Sequence, residues 1–152
     1  MEKSYFTSFI GIFEIVSENN ALISLKLVEK NENSSFETDF SKKVKTQLNE
    51  YFSGKRKLFD LKLNPQGTDF QKRVWLELYK IPYGEVKSYS QIAQQIQNPN
   101  AVRAVGSACN KNPVMIIIPC HRVISKNGNL GGFAYGNLIK QKLLNLEHQS
   151  KS

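Results

Sequence analysis

Cys120, His121 and Arg122 stand in a row in a chain of 152 residues that holds only two cysteines and two histidines. A thiol beside a histidine and a cation is equipped for nucleophilic chemistry. The thiolate is the reacting species, and positive neighbours lower the thiol pKa. The three residues close an apolar run, Ile116-Ile117-Ile118-Pro119. Its short length and flanking proline predict a buried strand, which puts Cys120 where a core meets a surface. Neighbouring strand residues point to opposite faces, so linking Cys120 to His121 takes a bend at Pro119 or a water between them. A histidine base also needs an orienting acid. The second half of the chain offers Asp69, Glu77, Glu85 and Glu147. Leu143, Leu144 and Leu146 anchor Glu147 against a core, which makes it the best-placed acid. Cys109, a small residue on an expected helix, reads as an inert core thiol.

The rest of the composition narrows the class. A chain of 152 residues with 40% hydrophobic residues suits one domain or two small ones with a real core. No apolar run approaches the roughly 18 residues needed to span a bilayer, and Met1-Glu2-Lys3-Ser4 does not open a signal peptide. Two cysteines are too few for a disulfide framework and fit a reducing cytoplasm. Two Cys and two His at these spacings match no common zinc pattern, so neither metal nor cofactor is expected. The net charge is +8 and unevenly spread. Residues 1–63 set ten Lys and Arg against nine Asp and Glu, whereas residues 64–152 set eleven against four. The basic half is the half with Cys120. A polyanion, above all DNA or RNA, is the natural partner, and the bland alternative is a basic surface that aids solubility.

The elements that must position these residues follow from periodicity. Residues 9–28 read as a β-hairpin, with Ile23, Leu25 and Leu27 alternating and Ser17-Glu18-Asn19-Asn20 as the turn. Ser41 to Phe52 reads as a helix with Val44, Leu48, Tyr51 and Phe52 on one face, ended by Gly54. Leu58 to Leu63 alternates again and predicts a strand. Asn64-Pro65-Gln66-Gly67 is the domain boundary, giving a small α/β domain over 1–63 and a second domain over 64–152.

In the second domain Thr68-Asp69-Phe70-Gln71 and Ser88-Tyr89-Ser90-Gln91 are capping boxes. The first opens a helix carrying Phe70, Val74, Trp75 and Leu78 that ends by Ile81-Pro82-Tyr83-Gly84. The second opens a short helix through Ile96. Pro99 suits the first position of another helix, from about Asn100 to Cys109. Two short helices across such a turn make a helix-turn-helix candidate. Ala101, Ala104 and Ala108 give the later helix one thin face. Such a face serves tight helix packing or a helix pressed into a narrow groove such as the DNA minor groove, with Arg103 as the long cation at the contact. Lys126-Asn127-Gly128-Asn129 carries a hairpin turn signal. Gly131-Gly132-Phe133-Ala134-Tyr135-Gly136 is a glycine-rich loop able to wrap a flat ligand, and it lacks the ending of a phosphate-binding P-loop. A last helix starts near Asn137 and reaches Glu147.

Pro119-Cys120-His121-Arg122-Val123 resembles the active-site signature of the O6-alkylguanine-DNA alkyltransferases. The resemblance extends to Ile81-Pro82-Tyr83-Gly84-Glu85-Val86-Lys87-Ser88-Tyr89, to Arg103-Ala104-Val105-Gly106 with Asn112-Pro113, and to Leu143-Leu144 with Glu147, in agreeing spacing from about Gly67 onward. Residues 1–63 match only in outline, as that family's variable N-terminal domain. The resemblance implies an α+β fold, with a ribonuclease H-like first domain and a mostly helical, winged-helix-like second one.

The resemblance also implies roles. Cys120 accepts an alkyl group, mainly methyl, from the exocyclic oxygen of guanine in one irreversible displacement. His121 acts as base through water, Glu147 orients it, and Asn112 supports the turn that presents the cysteine. Arg103 fills the duplex after the target nucleotide leaves. Tyr89 contacts that nucleotide and its phosphate, and Ala101, Ala104 and Arg122 complete the DNA contacts. The backbone around Val123 and Ala134 reads the base edge, and the bulky Tyr135 narrows the pocket. The implied partner is double-stranded DNA with alkylated guanine, bound by a monomer. Base extrusion costs a few kcal/mol, and a thin helix with an inserting arginine suits that task. A stable thioether with nothing placed to hydrolyse it implies one turnover per molecule. Two other readings are a non-catalytic relative that binds alkylated DNA and recruits repair factors, and a cysteine hydrolase. Cys120 argues against the first, and the basic second half against the second.

Overall fold

Among the described residues, three capping boxes start three of the five α-helices. Thr38 with Ser41, Thr68 with Gln71 and Ser88 with Gln91 each exchange side-chain and backbone hydrogen bonds, at 2.8–3.1 Å. Each thereby satisfies amide donors that a helix start leaves open. The computed structural model describes residues 1–31 and 36–150. Its chain contacts divide it into two units, Met1–Gln66 and Gly67–Ser152.

In the first unit β1 (Glu2–Ser8), β2 (Gly11–Glu18) and β3 (Ala21–Val28) form an antiparallel meander in that order. Asn19 and Asn20 both adopt positive φ, 53° and 60°, as a tight two-residue hairpin turn requires. The helix α1 (Asp39–Phe52) buries Val44, Leu48 and Tyr51, and each such side chain contributes about 1.5–3 kcal/mol by leaving water. Phe6, Phe9 and Phe13 pack their rings against Phe52 at 5.6–6.2 Å. The expected hairpin is therefore the later part of a three-stranded sheet. β1 carries no clean alternation, because Ser4 and Tyr5, side by side, are both buried. The expected strand over Leu58 to Leu63 is an extended segment with one isolated parallel bridge, Leu22 to Leu63. Leu22 exchanges two backbone hydrogen bonds there, with Lys62 and Asn64, each 2.8 Å.

In the second unit α2 (Asp69–Tyr79), α3 (Tyr89–Gln95) and α4 (Val102–Asn110) pack together, and α5 (Asn137–Gln149) closes the chain. The Trp75 indole N–H donates to the Ala108 carbonyl at 2.9 Å, tying α2 to the far end of α4. Gly67 lets that ring lie close, since a Cβ there would stand 2.4 Å from it. The Arg73 guanidinium donates to the Ile96 carbonyl at 2.6 Å, which fixes the end of α3. Pro99 does not open α4. It lies in the connecting turn, where Gln97 takes φ 61° and Ala101 N–H reaches the Asn98 carbonyl at 3.0 Å. Ala101 is thus a cap residue. The alanine face is divided too, because Ala104 is exposed while Ala108 is buried.

The expected strand over Ile116–Ile118 is a set of tight buried turns. The short strands actually present are β4 (Lys87–Ser88) and β5 (Val123–Ile124), paired in parallel. That pairing sets the start of α3 beside the segment carrying Cys120. The Asn-Gly turn forms, with Gly128 at φ 88° and Ser125 N–H bonded to the Asn129 carbonyl at 2.8 Å, without strands beyond it. Among the described residues no helix is long and apolar enough to cross a membrane.

Candidate active site

Asn112 builds the turn that presents the cysteine. Its side-chain amide donates to the Ile118 carbonyl at 2.7 Å, and its carbonyl oxygen accepts from the Val114 N–H at 3.0 Å. The chain between is wound tightly, with Ile118 N–H on the Val114 carbonyl at 3.0 Å and Cys120 N–H on the Ile118 carbonyl at 2.8 Å. Ile116 takes φ 74° there, a left-handed conformation that is rare and strained for a β-branched residue. Burial of Ile116, Ile117 and Ile118 offsets that strain. The apolar run thus closes a turn in the core. It delivers Cys120, His121 and Arg122 on a 3-10 turn.

On that turn His121 and Arg122 both reach one acid. His121 Nε2 lies 2.6 Å from Glu147 Oε2. Arg122 grips the same carboxylate with two arms, Nε to Oε1 at 2.8 Å and Nη2 to Oε2 at 3.0 Å. Its third nitrogen donates to the Ile81 carbonyl at 2.7 Å. Burial alone would push Glu147 up, yet His121 and Arg122 outweigh it and hold the carboxyl far below the ordinary range. Burial pulls His121 down, Glu147 opposes this, and Arg122 and Lys140 add to it. The pair is therefore an ionised carboxylate with a neutral imidazole. A carboxylate only accepts, so Nε2 carries the ring proton and Nδ1 is left as the basic lone pair. Nδ1 is buried with no protein hydrogen-bond partner among the described residues.

Two expectations change here. Arg122 is buried with its donors spent on Glu147 and Ile81, so it is not a surface contact for DNA. Nor do the His121 and Arg122 side chains depress the thiol. Burial pushes Cys120 up, and what pulls it back is an Asn112 hydrogen bond, then the charge of Lys140 and the backbone N–H groups of Cys120 and His121. Cys109, buried nearby and facing the same cation, is pushed up to about 12 by burial and by Cys120.

Lys140 is the residue that the sequence reading missed. It is 0% exposed. Its ammonium donates to the carbonyls of Val123 at 2.5 Å, Leu130, and Gly132 at 3.1 Å, and it lies over the rings of Tyr89 and Phe133 at 5.7 and 5.9 Å. Burial lowers its pKa while Cys120 and Cys109 raise it. The signal was available in the helix period. Lys140, Leu143 and Glu147 are the buried residues of α5, spaced three and four apart, so whatever buries Glu147 buries Lys140 on the same face.

The glycine-rich loop lies against the same residues. Tyr89 donates its hydroxyl to the Gly132 carbonyl at 3.2 Å, and burial lifts its pKa to about 12. Gly131 takes φ 73°, and a Cβ there would stand 2.9 Å from the Tyr89 ring, so glycine is required. Tyr135 is half-buried, its ring edge-on to Phe133 at 5.8 Å, and its hydroxyl pKa is raised by burial and then by Cys120. Ala134 is exposed. Val123 is fully buried, so only its backbone could address a ligand, and its carbonyl already accepts from Lys140. Arg103 projects exposed from α4, beside the exposed Ala104. No group of three metal-ligating side chains occurs among the described residues. A buried thiol, a neutral histidine with an open lone pair and an oriented carboxylate together suit displacement by sulfur with proton removal by the imidazole.

The chain is similar to known proteins along both units. Residues 69–149 match the family described as 6-O-methylguanine DNA methyltransferase, DNA binding domain, and residues 1–65 match its ribonuclease-like domain. The methylated-DNA–protein-cysteine methyltransferase of Methanosarcina mazei is 58% identical over 112 residues, covering 74% of this chain and 71% of that one. The constitutive one of Bacillus subtilis is 50% identical over 115 residues, covering 75% and 70%. Mycobacterium tuberculosis OGT, crystallised in complex with DNA, superposes with a TM-score of 0.86 at 43% identity, covering 96% of this chain and 93% of that one. The fold is α+β, with an N-terminal ribonuclease-like domain holding an antiparallel sheet and a mostly helical DNA-binding domain after it.

Proposed function

This chain belongs to the 6-O-methylguanine DNA methyltransferase family, and from that premise we propose how its residues divide the work. It binds DNA and repairs it by direct reversal, moving a methyl group from methylated DNA to one of its own cysteines. Cys120 is that cysteine. Its sulfur forms a bond to the methyl carbon while the bond from that carbon to guanine O6 breaks, its electron pair passing into the base. The thiol proton passes through a bridging water to Nδ1 of His121, which releases it to solvent, and the guanine left in the DNA takes up one proton from solvent, so the step balances. The product is a thioether, so each molecule acts once.

The observation that carries this reading is the 2.6 Å contact from Glu147 on α5 to Nε2 of His121, which leaves Nδ1 open on the turn that holds Cys120. Asn112 holds that turn closed. The partner is double-stranded DNA containing alkylated guanine, approached through α4. Ala101 and Ala104 let the helix come close, and Arg103 enters the duplex as the nucleotide is extruded, an exchange that costs a few kcal/mol. Tyr89 receives the nucleotide, and Val123, Ala134 and Tyr135 line its pocket. Residues 1–63 act as the structural domain and 64–152 as the DNA-binding and transfer domain. The protein works as a cytoplasmic monomer and needs no cofactor or metal.

Labelled methyl offered on a duplex oligonucleotide tests this. The label should move to the protein in a one-to-one ratio, with one methyl on the Cys120 peptide by mass spectrometry. Cys120→Ala should take up none while still binding DNA. Repaired DNA in excess over protein would overturn the single-use mechanism.

A further inference from the structure

We infer that Arg122 is a positioning residue, whose guanidinium, anchored by Ile81 and Tyr83, holds the Glu147 carboxylate with Oε2 aimed at His121 Nε2. This deepens the reading of His121 as the base and rests on it. Three features carry the assignment. The grip on Glu147 is two-armed, which fixes a carboxylate in orientation as well as position. The remaining arm is tied to the Ile81 carbonyl, and the guanidinium lies 5.6 Å from the centre of the Tyr83 ring. Arg122 therefore bridges the segment after α2 to α5. Both ions are buried, and a buried ion pair is seldom the most stabilising choice for a core. Here Arg122 balances the charge of Glu147, and burial keeps His121 neutral beside it.

The charged and titratable groups around the pair come from three elements. Cys120 and Arg122 lie on the same 3-10 turn, Lys140 on α5 and Tyr83 on the segment after α2. His148 is exposed beside Glu147 and lines an open groove of about 390 Å³ with Gly84, Val86 and Leu144.

The test compares the full-length protein with Arg122→Met and Arg122→Lys, using a duplex oligonucleotide with one O6-methylguanine. Transfer is followed at saturating DNA across about pH 5 to 9, the range in which a histidine base titrates. DNA affinity and the His121 ring NMR signals are measured alongside. Arg122→Met should keep its DNA affinity and lose on the order of 10²-fold in plateau rate, as misplaced reacting groups do. Its acid limb should move to higher pH, because a positive neighbour of His121 is gone. Arg122→Lys restores the charge without the fork, so its limb should stay while its plateau falls. Unchanged plateau and limb in Arg122→Met overturn the proposal, as does weaker DNA binding with a normal saturating rate. Should Arg122→Met fail to fold, an unchanged plateau in Arg122→Lys overturns it. The NMR arm separates the two levels. An unaltered His121 tautomer in the variants sinks the positioning role even if transfer is real. A shifted tautomer with no transfer by the unmodified protein supports the positioning and removes the function.

Discussion

His121 Nε2 lies 2.6 Å from Glu147 Oε2 across 26 residues of chain, and that contact selects the tautomer of the ring. A carboxylate cannot donate, so the proton sits on Nε2 and Nδ1 is the base. Glu147→Gln keeps the shape and reverses the logic. Arg122 retains the single amide oxygen, and the amide NH₂ faces Nε2, which must turn acceptor and shift the proton to Nδ1. A ring in the wrong tautomer cannot take the thiol proton. The expected loss in single-turnover rate at saturating DNA is on the order of 10²–10⁴-fold, with DNA affinity unchanged. A loss below tenfold would show that Nδ1 is not the base.

Cys120, His121 and Glu147 were legible because residue type and spacing alone nominate them. A thiol stands beside an imidazole in a chain with two of each, and Leu143, four residues before Glu147, puts that carboxylate on the buried face of its helix. Arg122 was misassigned for a physical reason. Sequence shows its charge and not its partner, and a buried bidentate contact looks in sequence like any surface arginine in a basic half. The strands were the weakest reading. Ile116-Ile117-Ile118 has the composition of a strand, but Asn112 bonds to Val114 before it and to Ile118 at its end and winds the segment into turns. β4 and β5 are two residues each and carry no periodic signal. The capping boxes at Thr68 and Ser88 were read correctly because side chain and backbone in them interact across only three residues.

Lys140→Met tests the cation at the centre of the site. The ammonium satisfies three carbonyls, and the variant leaves them in an apolar setting, at a cost of about 1–3 kcal/mol each where no water enters. Urea unfolding should show a loss of at least about 2 kcal/mol. Lys140 is also one of the groups restraining the Cys120 thiol from rising further. The pH at which an alkylating probe captures Cys120 should therefore move up in the variant. A stable variant with an unshifted capture profile would contradict both roles.

Stability should fall on both sides of neutrality, for reasons whose signs can be stated. His121 titrates lower in the fold than its ordinary 6.5, and Glu147 lower than its ordinary 4.5. The unfolded chain then binds more protons, so stability rises with pH in that region. The contribution is complete above about 6.5 and is lost progressively as pH falls, first through the histidine range and then through the carboxylate range. Cys109 and Cys120 have raised values in the fold, Cys109 from 9.0 to about 12. The unfolded thiols ionise first, so their contribution is lost as pH climbs above about 9. Thermal midpoints measured across this range should trace a dome. Glu147→Gln should flatten its acid side and Cys109→Ala its alkaline side.

Tyr135 should set the size of group accepted. It is half-buried in the glycine-rich loop, beside Phe133 and within electrostatic reach of Cys120. A ring there takes space that a benzyl adduct needs and a methyl does not. Methylguanine should therefore inactivate the protein faster than benzylguanine, and Tyr135→Gly should raise the benzyl rate by about 10–100-fold with little effect on methyl. Comparable methyl and benzyl rates in the unmodified protein would remove Tyr135 as a filter.

Arg103→Ala should separate extrusion from chemistry. Arg103 is exposed on α4, whereas Cys120, His121 and Glu147 are buried, so its loss leaves the reacting groups in place. If it fills the duplex after the nucleotide leaves, its removal raises the cost of extrusion, which is a few kcal/mol for a paired base and much less for an unpaired one. Transfer from a duplex should then slow by on the order of 10–10²-fold, and transfer from a single strand should change little. Salt dependence distinguishes this from a simple phosphate contact. Loss of one phosphate contact lowers the salt slope of binding by about one and weakens single and double strands alike. Equal slowing on both substrates would place Arg103 on the backbone of the DNA and assign extrusion to another residue.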